Sequence, residues 1–80
     1  MKNIFKIEFD TVTNIDILTN HSEEEVQEVM KKFEELPEFL DDSYDVDFFL
    51  NFLEENNIEY LQISEAETTL FFDRSKQHCL

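Results

Sequence analysis

Ser22-Glu23-Glu24-Glu25-Val26-Gln27-Glu28-Val29-Met30-Lys31-Lys32-Phe33-Glu34-Glu35-Leu36-Pro37 is the stretch on which the fold turns. Ser22 and Glu25 stand three apart, the spacing of a capping box. The Ser22 hydroxyl can accept the Glu25 amide while the Glu25 carboxylate reaches back to the Ser22 amide. Glu23, Glu24 and Glu25 crowd three carboxylates into the first turn, where the helix dipole favours them. Val26, Val29, Met30, Phe33 and Leu36 then trace one apolar stripe at helical spacing. Pro37 ends it, because the residue before a proline is pushed out of helical geometry. A helix with a single apolar stripe needs another layer to cover that stripe, so the flanking sequence must supply one.

On the N-terminal side, Ile4 to Phe9 alternates, with Phe5, Ile7 and Phe9 on one face and Ile4, Lys6 and Glu8 on the other, as in a half-buried strand. Asp10 to Asn14 reads as a turn, and Ile15 and Ile17 open a second strand that ends near Thr19, giving an antiparallel hairpin. On the C-terminal side, Pro37 to Tyr44 reads as a connector with Phe39 and Leu40 tucked beneath it. A second helix follows, capped by Asp42 or Asp45, with Val46, Phe49, Leu50 and Leu53 as its stripe and Phe48 and Phe52 widening it. Asn56-Asn57 is its stop, since Asn tolerates left-handed geometry. Ile58 to Ser64 alternates again, with Leu61 and Ile63 on one face. After a short turn at Glu65-Ala66-Glu67, Thr68 to Asp73 does the same through Leu70 and Phe72. The chain has no glycine, so Asn14, Asn20, Asn56 and Asn57 are the candidates for positive φ in its turns. The expected fold is α+β in the order ββααββ, an antiparallel four-stranded sheet with both helices on one face. It forms a single domain over 1–74, followed by a flexible tail over 75–80.

Eighty residues allow one domain and no large internal active site. Nine Phe and 41% hydrophobic residues are too many for a disordered acidic tail. The net charge is −14, from 20 acids and 6 bases, beyond the roughly 2–8 that solubility asks of a small domain. Such a surface repels nucleic acid and anionic membrane and suits a basic partner. The lone cysteine, Cys79, excludes an internal disulfide and fits a reducing cytoplasm. Met1 to Lys6 has no apolar segment of the secretory kind, and no apolar run reaches the length of a membrane span.

Chemistry is thinly provided. Cys79 and His78 fall in the expected tail, where nothing would hold a base against a thiolate, and His21 sits beside a helix cap. A phosphate-cradling loop needs glycine. Asp41, Ser43, Asp45 and Asp47 resemble the first half of a calcium loop, but Val46 stands where the sharp turn needs Gly and Phe52 where a bidentate Glu belongs. One Cys and two distant His do not make a zinc site. The expectation is therefore a non-enzyme with no metal and no cofactor.

What remains is the acidic surface. Fourteen acids lie between Glu23 and Glu59, with only Lys31 and Lys32 as bases among them. Glu24, Glu28, Glu35 and Glu38 lie opposite the apolar stripe of the first helix, and Asp41, Asp42, Asp45 and Asp47 continue the run. Carboxylates three or four apart on a helix are ~4.5–6 Å apart along its axis, against a phosphate every ~3.4 Å along a nucleic-acid strand. These eight residues are the candidate partner-binding set, placing carboxylates where a cationic groove expects phosphates. The plainer alternative pairs Glu28 with Lys32 and Lys31 with Glu35 as ordinary helix-surface pairs. In size and acidity the chain resembles phage-encoded inhibitors of host defence nucleases, anti-CRISPR proteins among them, a likeness of composition that no motif carries. The expected function is a small protein-binding inhibitor that blocks a nucleic-acid-binding site on a basic partner. An immunity protein or antitoxin against a basic nuclease toxin has the same surface physics. A third expectation is a homodimeric module using the Phe-rich face, through Phe48 or Phe39.

Overall fold

Two strands near the N-terminus, β1 (Asn3–Glu8) and β2 (Asn14–Thr19), pair as the expected antiparallel hairpin, with Phe5 opposite Ile17 and Lys6 opposite Asp16. The structure is a computed structural model that describes residues 3–10 and 12–73. The expected tail over 75–80, with His78 and Cys79, lies outside the described residues. Asp10 shapes the hairpin turn without glycine: its Oδ1 accepts the amides of Val12 and Thr13 at 2.8 and 2.7 Å. Phe5, Ile7, Ile15 and Ile17 are buried on the inner face.

Helix α1 (Glu23–Phe33) carries the capping box in full. The Glu25 amide donates to Ser22 Oγ at 3.2 Å and the Ser22 amide to Glu25 Oε1 at 2.8 Å. Its stripe of Val26, Val29, Met30 and Phe33 is buried against the sheet. The connector contains a short helix of its own, α2 (Pro37–Leu40), with Pro37 at its first position, where the missing N–H costs nothing. The order is therefore ββαααββ, not ββααββ. Asp45, not Asp42, caps α3 (Val46–Glu55), its Oδ1 accepting the Phe48 amide at 2.8 Å. Among the described residues, positive φ falls at Asp42 (58°) and Asn57 (64°). Asn57 behaves as expected, whereas Asn14, Asn20 and Asn56 do not adopt it.

Strands β3 (Tyr60–Ile63) and β4 (Thr68–Phe71) correct the expected sheet. The sheet is mixed, in the order β3-β2-β1-β4. β3 pairs antiparallel with β2, but β4 joins the far edge of β1 and runs parallel to it, with Leu70 level with Ile7. The physical reason is burial. At the far edge of β1, Leu70 and Phe72 lie beneath the helices and are 2% and 6% exposed. A hairpin with β3 would have carried them past the opposite edge, away from α1.

The connection Ser64–Glu67 must therefore cross two strands. Ile63 is level with Asp16 and Lys6, and Thr68 with Phe5, so the crossing is made across the middle of the sheet. It passes over the face opposite the helices, where Ile4 and Lys6 share a groove of about 540 Å³ with Ser64 to Thr68. Leu61 and Ile63 share a face as expected, but it is this open one, and Leu61 is 66% exposed.

The core on the other face is largely aromatic. The ring centroid of Phe33 lies 5.0–5.9 Å from those of Phe39, Tyr44, Phe48, Phe49, Phe52 and Phe72. Most of these pairs are tilted or edge-to-face, as the ring quadrupoles favour.

Candidate functional site

The eight candidate residues all lie on the helical layer and the loop that closes it. Glu24 and Glu28 are exposed on the side of α1 opposite Val26, Val29 and Phe33, and Glu35 is exposed in the turn that follows the helix. Glu38 is half-buried in α2, where its carbonyl accepts the Ser43 amide at 2.9 Å and ties the loop down. Asp41 caps the end of α2, its amide bonded to the Pro37 carbonyl, and Asp42 takes the left-handed turn that follows. Both are exposed. Asp45 is exposed but holds the start of α3, so its role is at least partly structural. Asp47 lies in the first turn of α3 on the side that faces β3, where its charge reaches Tyr60. The carboxylates thus spread over the outer surface of the helices and do not form one line.

Of the fourteen acids between Glu23 and Glu59, all are exposed save Glu38 and Glu34. Glu34 does not belong to the surface set. It is 4% exposed, and its Oε2 accepts the Asp73 amide at 2.7 Å, tying the end of β4 to the end of α1. Its place four residues after Met30 and one after Phe33 puts it on the apolar side, a clue that periodicity carried and the plain acid count hid. Asp16 is a second residue that the acid count passed over. It stands on the open sheet face across from Lys6 without closing an ion pair, and its Oδ1 is buried with no hydrogen-bond partner.

The local helix pairs that would neutralise the surface are not formed: neither Glu28 with Lys32 nor Lys31 with Glu35 closes to a salt bridge. Among the described residues, the charged-group contact at the start of α1 is His21 Nδ1 with Glu25 Oε1, at 3.6 Å, an ion pair when the imidazole is protonated. The Ser22 amide, and then His21, hold the Glu25 carboxyl below the ordinary glutamate value. The Tyr60 phenol moves the other way, raised by burial and by its hydrogen bond to Glu54 Oε2 at 3.0 Å.

Phe39 is fully buried in the core and offers no surface, whereas Phe48 is 36% exposed. Among the described residues no three or more His, Cys, Asp or Glu side chains are grouped to hold a metal ion, and no helix is long and apolar enough to cross a membrane. Comparisons with protein-family models, with curated proteins and with solved structures found no match for the chain.

Proposed function

We propose that the protein is a small acidic inhibitor that binds a basic, nucleic-acid-binding partner through the helical layer and occupies the groove meant for phosphates. The observation that supports this reading is the outer surface of the helices, where exposed carboxylates outnumber Lys31 and Lys32 and no local pair on α1 uses those two bases up. Glu24, Glu28, Glu35 and Asp41 are exposed, with Asp42 exposed beside Asp41, and these five are the proposed contacts. Binding by such a surface steers and holds through electrostatics, so it weakens as salt rises. An immunity protein or antitoxin against a basic nuclease would use the same carboxylates. The role is one of binding, and no residue is assigned to catalysis.

The test is capture of partners from host lysate on the tagged protein, washed at low and high salt and challenged with nucleic acid. The expected result is a basic nucleic-acid-binding protein that is retained at low salt and displaced by nucleic acid. The variant with Glu35, Glu38, Asp41 and Asp42 all changed to lysine should lose it while keeping its circular dichroism. If that variant captures the same partner equally well, the acidic layer is not the interface.

A further inference from the structure

The crossing Ser64–Glu67 is short for the distance it covers. Three inter-strand spacings separate β3 from β4, about 14 Å at ~4.8 Å each. Five residue steps from Ile63 to Thr68 reach at most about 16–18 Å. The path must also rise over Ile4 and Lys6, so almost no slack is left. β4 is held by β1, by the core through Leu70 and Phe72, and by the Glu34 carboxylate on Asp73. A second copy of the chain offers all of those contacts identically. Short hinges under strain between such an element and its own body favour exchange.

The geometry of exchange is specific. Set two copies with their open faces together about a two-fold axis parallel to the strands. The axis reverses left and right, so β3 of one copy stands opposite the β4 position of the other, and strand direction is kept. Stacked sheets lie ~10 Å apart, so the connection reaches the partner's β1 edge by a shorter path than its own. It also leaves the open face, where Ile4, Leu61 and Phe71 are exposed and Leu18 and Ile63 half-exposed. We propose that this chain forms a dimer in which each copy donates β4 to the β1 edge of the other, with the two open sheet faces packed together.

Two further observations favour a second copy as the occupant. The strands present few charges on the open face, Lys6, Glu8 and Asp16, with Glu65 and Glu67 added by the crossing, so this arrangement sends the acidic helices to the two outer surfaces, as far apart as the molecule allows. Stacking alone is too small: the face is roughly 19 by 17 Å, about 300 Å² in projection, against ~800 Å² per partner in a standard interface. Strand exchange adds the buried contacts of Leu70 and Phe72.

The test uses the full chain with Cys79→Ser. Glu8 and Phe71 are register partners, so a Glu8→Cys chain and a Phe71→Cys chain, refolded together and oxidised, form a mixed disulfide if β4 is exchanged. In an unexchanged face-to-face dimer these positions stand ~14 Å apart by the same spacings, beyond the ~7 Å a disulfide spans. The expected results are a mass twice that of the chain by light scattering, a dimer that strengthens with added salt, and the mixed disulfide. A Gly-Ser-Gly insert after Ala66, which gives the crossing slack, should return the protein to a folded monomer. A monomer at every concentration and salt after refolding overturns the proposal, as does a dimer that yields no mixed disulfide or that the insert leaves unchanged.

Discussion

Phe33 is the side chain on which most of the core converges. It is fully buried and meets rings from α2, α3, the Asp41–Asp45 loop and the chain just after β4. Removing it leaves a cavity that rigid neighbouring rings cannot close, so Phe33→Ala should cost about 3–5 kcal/mol. A domain of this length holds roughly 4–12 kcal/mol in all, so urea unfolding should show the variant's midpoint at a much lower denaturant concentration than the parent's. Phe48→Ala, at the margin of the same cluster, should cost far less. Equal losses at the two positions would mean that the rings do not converge on Phe33. The sequence marked Phe33 as apolar and helical, but nothing local distinguished it from Val29. Its rank comes from where α2 and Phe72 arrive, which is a tertiary fact.

At the scale of elements, the start of α1 was readable because its logic lies within four residues. Ser22→Ala should lower stability by about 1 kcal/mol, within the usual range for caps. The partner carboxylate adds a pH signature. Glu25 titrates below its ordinary value, so its contribution is fully present above the ordinary glutamate range and is lost as pH falls through the lowered value. The Ser22 amide resonance, followed by NMR, should therefore titrate with a midpoint below that of a free glutamate. A midpoint at the free value would mean that the carboxylate does not hold the cap in solution. The strands were readable in a different degree. Alternation told that Leu61 pairs with Ile63 and Leu70 with Phe72, yet it cannot tell which face is inward or which edge a strand joins. Glu65-Ala66-Glu67 looks like a hairpin turn because turns and taut crossings both use short polar segments. The difference was decided by the uncovered edge of β1 beneath α1, more than fifty residues upstream of β4.

For the whole molecule, the acids are segregated: the helical layer carries most of them and the open sheet face few. Crowded like charges destabilise the compact state, and salt screens them, with a Debye length of ~10 Å at 0.1 M. The melting temperature, followed by circular dichroism, should rise as sodium chloride is added, by several degrees before it levels off. A flat or falling curve would mean that the carboxylates are too far apart to repel. The same salt should loosen a basic partner and tighten the exchanged dimer, so one titration separates the two surfaces. Which acids are exposed was largely legible from helical spacing, Glu34 being the exception. How they spread was not, because the turn at Asp42 and the side of α3 on which Asp47 lies depend on packing. The crossing also has a consequence for how the protein is made. β1 leaves the ribosome about 60 residues ahead of the strand that covers its far edge, roughly 3–12 s at ordinary rates of synthesis. Throughout that interval the nascent chain presents a bare row of backbone donors and acceptors, so translation speed and chaperone supply should govern its yield more than the stability of the finished fold.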